Sequence, residues 1–165
     1  MGINELYQAL VARGLEGLGA VFLLAAMPIS ELRGSIPCGI LAFHQSASSV
    51  FWVSIAGNLL PVLPLLWLLE PVCNRLSRYK LGRRWVDWLY DRTDRRAEMV
   101  RKYEVLGLIL LVAIPLPMTG AYTGAVAASL FRIRKGVAFW AITAGVFIAG
   151  GIVLALTLLG RWGLS

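Results

Sequence analysis

The segment Met27-Pro-Ile-Ser-Glu-Leu-Arg-Gly-Ser-Ile-Pro37 sets an acid, Glu31, and a base, Arg33, in the middle of a long apolar run. No charged residue occurs from Gly17 to Met27, and none from Gly34 to Phe43. The run between Glu16 and His44 has 27 residues, whereas one spanning helix takes about 20 apolar residues. It is too long for one straight crossing and too short for two. Pro28, Gly34 and Pro37 flank the charges, and a proline inside a helix removes a hydrogen bond and clashes with the preceding turn. The sequence therefore predicts a re-entrant hairpin over 15–46, with Pro28, Gly34 and Pro37 shaping its turn. Glu31 and Arg33 would then lie near the bilayer midplane.

Composition agrees with that placement. The chain has 165 residues, 58% of them hydrophobic, with 17 Gly and 6 Trp, which predicts one integral membrane domain over 1–165. The N-terminus lacks the basic flank and small-residue cleavage pattern of a secretory signal. Cys38 and Cys73 have no partner spacing, so neither a disulfide framework nor a metal site is expected. The net charge of +7 comes mainly from one segment between apolar runs. A positive cytoplasmic loop accounts for it, and no nucleic-acid partner is expected.

Outward from the hairpin, residues 3–14 carry apolar side chains at helical spacing and predict a short interfacial helix. Residues 48–70 predict a full span, bent by Pro61 and Pro64 and ended by Pro71. Residues 71–104 hold ten Lys/Arg and five acids, a basic connector expected in the cytoplasm. Residues 105–131 form a second apolar run of 27 residues between charges, interrupted at Pro115, Pro117 and Gly120. A single crossing there would put Arg132, Arg134 and Lys135 outside, against the positive-inside tendency, so a second hairpin over 105–131 is expected. A last span over 136–160 follows.

The two halves echo each other. Trp52-Val-Ser-Ile-Ala-Gly57 matches Trp140-Ala-Ile-Thr-Ala-Gly145 at an offset of 88, and Met27-Pro28 matches Ile114-Pro115 at an offset of 87. The expected fold is an all-α integral membrane protein with two inverted repeats, each a re-entrant helical hairpin followed by one transmembrane helix. The first repeat is 1–70 and the second 105–165. Many secondary transporters use opposed broken helices in this way.

Glu31-Leu-Arg-Gly-Ser-Ile-Pro37, with Pro115-Leu-Pro-Met-Thr-Gly-Ala-Tyr-Thr-Gly124, resembles the small multidrug export family over nearly the whole chain. More distantly the architecture, with Gly136-Val-Ala-Phe-Trp140, Gly145 and Gly150, is similar to the DedA superfamily. That resemblance implies opposed re-entrant hairpins and proton-dependent recycling of polyprenyl-phosphate carriers. DedA proteins carry arginines in the second hairpin, where this chain has Met118, Thr119 and Tyr122. If the same chemistry applies, Arg33 must supply the cationic contact.

The residues support a transport site without the resemblance. A charge at the bilayer centre costs roughly 2.5–3.5 kcal/mol on insertion scales, so two of them there predict function. Glu31 is the expected proton-coupling acid, and Arg33 offers a planar fork for phosphate or carboxylate. Ser35 is expected to cap the returning half-helix with Pro37 in its first turn, and Thr119 to do the same in the second hairpin. Two helix N-termini would then face an anion. Asn58 is a helix–helix hydrogen-bond donor or a substrate contact, and Tyr122 and Thr123 are substrate candidates one turn from the second tip. His44 is expected at the outer mouth of the first hairpin, and Trp52 and Trp140 to pack the two halves together.

Catalysis is a poor fit. There is one His, no acidic pair at hydrolase spacing, no Gly-rich phosphate loop and no metal cluster, so no enzyme and no cofactor are expected. The leading expectation is a proton-coupled secondary transporter of an anionic amphiphile, such as a polyprenyl phosphate or a phospholipid headgroup. The alternatives are an exporter of small organic cations and a non-transporting scaffold, for which swapping Glu31 and Arg33 would be harmless. Expected partners are membrane lipids, protons and a second copy of the chain, since two spans leave the hairpins exposed to lipid. The expected location is a prokaryotic plasma membrane, crossed more than once.

Overall fold

A computed structural model of the chain describes residues 17–76, 104–114, 120–131 and 133–163. Every regular element among them is helical. In order they are α1 (Leu18–Ala26), α2 (Glu31–Pro37), a π turn (Cys38–Ala42), α3 (Ala47–Leu59), α4 (Val62–Leu76), α5 (Glu104–Ala113), α6 (Ala121–Leu130) and α7 (Lys135–Gly163). The interfacial helix expected before residue 15, most of the basic connector and the second hairpin's turn lie outside the described residues.

Two segments are long and apolar enough to cross a membrane, Ala47–Leu68 and Lys135–Trp162. Only 39% of either window is buried, and large apolar side chains such as Leu63, Trp67, Leu68, Ile148, Ile152 and Leu156 face outward. Hydrocarbon accepts such a surface, and water penalises it. The chain is a membrane protein.

The first of these segments breaks where the prolines predict. Pro61 has no N–H for the Gly57 carbonyl, and the helix is interrupted at Leu60–Pro61 before α4 begins. Pro64 falls in the first turn of α4, where its missing N–H would have had no intrahelical partner anyway. Pro71 does not end the helix as expected but lies inside α4, which continues to Leu76.

The chain divides into two compact units, Met1–Pro61 with Val146–Ser165, and Val62–Gly145. In the first unit α1 packs against both α2 and α3. Small residues allow the approach: a Cβ built at Gly57 of α3 would lie 2.5 Å from the Phe22 carbonyl oxygen and 3.0 Å from the Ala25 Cβ, both in α1. Close packing of small residues is what draws helices together in lipid, where burying apolar surface gains little.

Three contacts fix how these helices run. A Cβ at Gly39 would meet Val50 at 2.7 Å and Val21 at 2.9 Å. One turn further along, the Ser35 hydroxyl donates to the Ser54 hydroxyl at 2.9 Å. So α2 and its π turn run antiparallel to α3, pairing 39 with 50 and 35 with 54. Between the level of Val21 and that of Ala25, α1 advances in the same direction as α3. Its chain enters and returns at the same end of α3, and residues 27–31 make the tip.

In the second unit α6 packs against α4 and α5. Here a Cβ at Gly145 of α7 would lie 2.6 Å from the Val112 Cβ and 2.9 Å from the Ile109 carbonyl oxygen, both in α5. Gly57 and Gly145 are the glycines aligned at an offset of 88, and Phe22 and Ala25 stand 87 residues before Ile109 and Val112. The same glycine meets the same pair of positions in each unit. Trp52 and Trp140, expected to pack the two halves together, differ: Trp52 meets Phe147 of the second repeat, whereas Trp140 is 69% exposed. Trp52 stands edge-on to Phe51 and Phe147, and Trp140 edge-on to Phe139.

Candidate functional site at the first hairpin tip

The turn of the first hairpin is Met27–Ser30, one residue to either side of Pro28 and Ile29. Ser30 is buried and donates its hydroxyl to the Leu24 carbonyl, tying the tip back onto the last turn of α1. The Glu31 N–H is held by the Met27 carbonyl at 3.0 Å. Glu31 itself has a left-handed backbone, with φ of 44°. A non-glycine residue there costs free energy and marks a position fixed by its surroundings. The chain turns sharply at Glu31 and becomes helical directly after it.

The helix is capped at Ser30, five residues before the expected Ser35. Ser35 does not cap the returning helix. It lies within α2, fully buried, and its hydroxyl is used across the interface by Ser54. Gly34 and Pro37 also lie in α2 and not in the turn. At Gly34 a Cβ would come within 2.6 Å of the Ser30 Cβ, so the absent side chain lets the turn fold against its own helix. Pro37 ends the α-helical part. The next turn widens, with the Phe43 N–H reaching back five residues to the Cys38 carbonyl at 2.9 Å. Such π turns are rare and frequent at functional sites.

Glu31 and Arg33 are both half-buried at the start of α2. An acid in a first turn is favoured by the helix dipole. Asn58 is 1% exposed, and neither its amide nitrogen nor its amide oxygen has a hydrogen-bond partner. It lies one turn beyond Ser54 on α3, so Ser35, Ser54 and Asn58 make a buried polar strip through an otherwise apolar unit. His44, with φ of 52°, is exposed beyond the π turn, at the end of α3 away from the tip.

The remaining candidates belong to the second unit. Pro115, Pro117 and Thr119 lie outside the described residues, so the expected Thr119 cap does too. α6 carries its own cap: the Gly120 N–H donates to Thr123 Oγ1 at 2.8 Å, and Thr123 Oγ1 donates to the Gly120 carbonyl at 3.0 Å. Thr123 is thus engaged in its own helix start, next to the half-buried Tyr122. The fold gathers Glu31, Arg33, Ser35 and Asn58 into the first unit, with Gly120, Tyr122 and Thr123 in the second. Sequence reading undervalued Ser54 and Ser30. The signal for Ser54 was available, because Ser54 and Asn58 are one helical turn apart in a segment of mostly apolar residues.

No curated protein and no solved structure matches the chain. One family does, over residues 31–152, about three quarters of the sequence, beginning at the hairpin acid and ending within α7. With its apolar helices and this match, the chain belongs to the family described as "Putative small multi-drug export protein".

Proposed function

We propose that this protein is a secondary transporter of the plasma membrane, with the tip of the first hairpin as its site and Glu31 as its proton carrier. One observation carries the reading. The pairings 39 with 50 and 35 with 54 bring the hairpin tip level with Asn58, which stands at the middle of the apolar segment Ala47–Leu68. From Ala47 to Asn58 a helix rises about 16 Å, close to half of a hydrocarbon core of about 30 Å. A hairpin that enters and leaves at one end of α3, with its tip at that depth, is re-entrant. A carboxyl group there can carry a proton that water arriving from either side can deliver or remove.

The repeated glycine contact supports a duplicated architecture, and the second hairpin over 105–131 and the inversion of the repeats are part of the proposal. Positive-inside charge then keeps the connector in the cytoplasm. The outward apolar faces and the re-entrant backbone favour a homodimer. For the substrate we favour an anionic amphiphile, a polyprenyl phosphate or a phospholipid headgroup, contacted by the fork of Arg33. The family description favours a second reading, export of a small organic cation, and the half-buried acid at the hairpin tip suits that cargo as well.

The test is reconstitution in liposomes with a pH gradient and a panel of phosphorylated lipids and organic cations. Glu31→Gln is expected to abolish pH-dependent transport while the protein still folds. Arg33→Ala should weaken an anionic substrate and leave a cationic one unaffected or improved. Normal pH dependence in Glu31→Gln removes Glu31 as the proton carrier, and an Arg33→Ala variant that loses only cation transport reverses the choice of cargo.

A further inference from the structure

The buried amide of Asn58 has one donor side and one acceptor side, and both lack a partner inside the protein. Leaving such a group unsatisfied costs free energy, and more where water cannot reach. The ladder between α2 and α3 identifies what can satisfy it. Position 39 pairs with 50 and position 35 with 54; each step moves four residues back on one helix and four forward on the other. Carried one turn further, the same register would set position 31, where the chain turns into α2, opposite position 58.

We propose that Asn58 is the second half of the proton site: protonated Glu31 and Asn58 form a two-bond acid–amide pair across α2 and α3. The Glu31 O–H donates to Asn58 Oδ1, and the Glu31 carbonyl oxygen accepts from Asn58 Nδ2–H. A carboxylic acid offers one donor and one acceptor, the two complements that the amide lacks. Deprotonation transfers the proton from the Glu31 oxygen to water at the tip. The remaining carboxylate only accepts, so Asn58 Oδ1 loses its donor and the pair opens. Proton release thereby unfastens the hairpin tip from α3, which links protonation to movement. This inference rests on Glu31 as the proton carrier.

Among the described residues packed around the pair, little else can titrate. α1, the turn Met27–Ser30 and α3 carry no titratable side chain. α2 carries Arg33 besides Glu31, and the π turn begins with Cys38. The part of α7 in this unit, where a Cβ built at Gly150 would lie 3.7 Å from Leu32, carries Arg161 alone, eleven residues further on.

The experiment is infrared difference spectroscopy of the full-length protein in liposomes as pH is stepped, in the wild type, Glu31→Gln and Asn58→Leu. The wild type should show the C=O stretch of a protonated acid, absent in Glu31→Gln. In Asn58→Leu that band should move to higher frequency as its hydrogen bonds are lost, and proton-driven transport should fall by about tenfold, the equivalent of one hydrogen bond. Selective 15N labelling of the wild type needs no variant: of Asn4, Asn58 and Asn74, the Asn58 side-chain resonance should shift with the same midpoint as the acid band. An acid band that is indifferent to Asn58→Leu, or an Asn58 resonance that is indifferent to pH, overturns the pair while leaving Glu31 as carrier. An acid band that persists in Glu31→Gln overturns the carrier itself.

Discussion

Adding one methyl group at Gly57 should damage the first unit more than the same change at a glycine with room. A Cβ at Gly57 would sit 2.5 Å from the Phe22 carbonyl oxygen, against an ordinary carbon–oxygen contact of about 3.3 Å. The obstacle is backbone, so no rotamer can yield. α1 and α3 must separate by several tenths of an ångström, and the Ala25 Cβ at 3.0 Å blocks the sideways route. Forced overpacking of this kind costs about 1–3 kcal/mol. Alanine in turn gains about 0.8–1.0 kcal/mol over glycine in a helix. Gly151→Ala provides the reference, because nothing lies within 4 Å of a Cβ there. The helical gain is common to both variants, so their difference isolates the steric term. Gly57→Ala should be less stable than Gly151→Ala by about 1–3 kcal/mol, read as thermal or chemical unfolding of the purified protein in one detergent. Gly145→Ala, facing the Ile109 carbonyl oxygen at 2.9 Å and the Val112 Cβ at 2.6 Å, should show a loss of similar size. Equal stabilities for Gly57→Ala and Gly151→Ala would refute the close approach, and with it the helix levels that carry the hairpin tip to mid-span.

Ser35→Ala and Ser54→Ala should each lose about 1 kcal/mol, and the double variant little more than either alone, since one bond joins them; additive losses would mean that the two hydroxyls act separately. Thr123→Ala removes the side chain that holds the Gly120 N–H and should destabilise α6 by about 1 kcal/mol, seen as faster amide exchange confined to its first turn. A cysteine placed at Ile29, in a background free of Cys38 and Cys73, should resist a membrane-impermeant maleimide far better than one placed at His44. Ile29 is exposed on the protein surface at 84%, so equal labelling of the two would mean that the tip is bathed in water.

The coarse architecture was legible because it depends on run lengths and breakers. The first crossing segment begins one residue before the expected Ser48, and the last runs from Lys135 to Gly163 around the expected 136–160. The proline break at Leu60–Pro61 follows from a missing N–H, which is a property of the residue alone. The start of α2 was not legible. Serine caps helices well, and Ser35 followed by Pro37 matches that pattern, but a hydroxyl partner on another helix outweighed the local preference. Nothing in the sequence near residue 35 announces Ser54, nineteen positions away. The setting of Trp140 was not legible for a related reason. A large aromatic side chain packs equally well against lipid, and only the tertiary fold decides which neighbour it meets. At the site, Glu31 and Arg33 stood out by charge. The importance of Asn58 emerged only when its burial and its unmet amide could be read together.

The wide turn at Cys38–Ala42 gives the returning arm of the hairpin one residue more than a regular coil of that height would hold. A surplus residue of this kind can migrate along its helix, a turn at a time, without either end of the arm shifting. Each residue it passes swings through about 100°. Were the surplus handed on toward Gly34, the side chains between would exchange faces while the tip and the far end stayed in place. The surplus residue thus sets the aim of the side chains on either side of it without lengthening the arm.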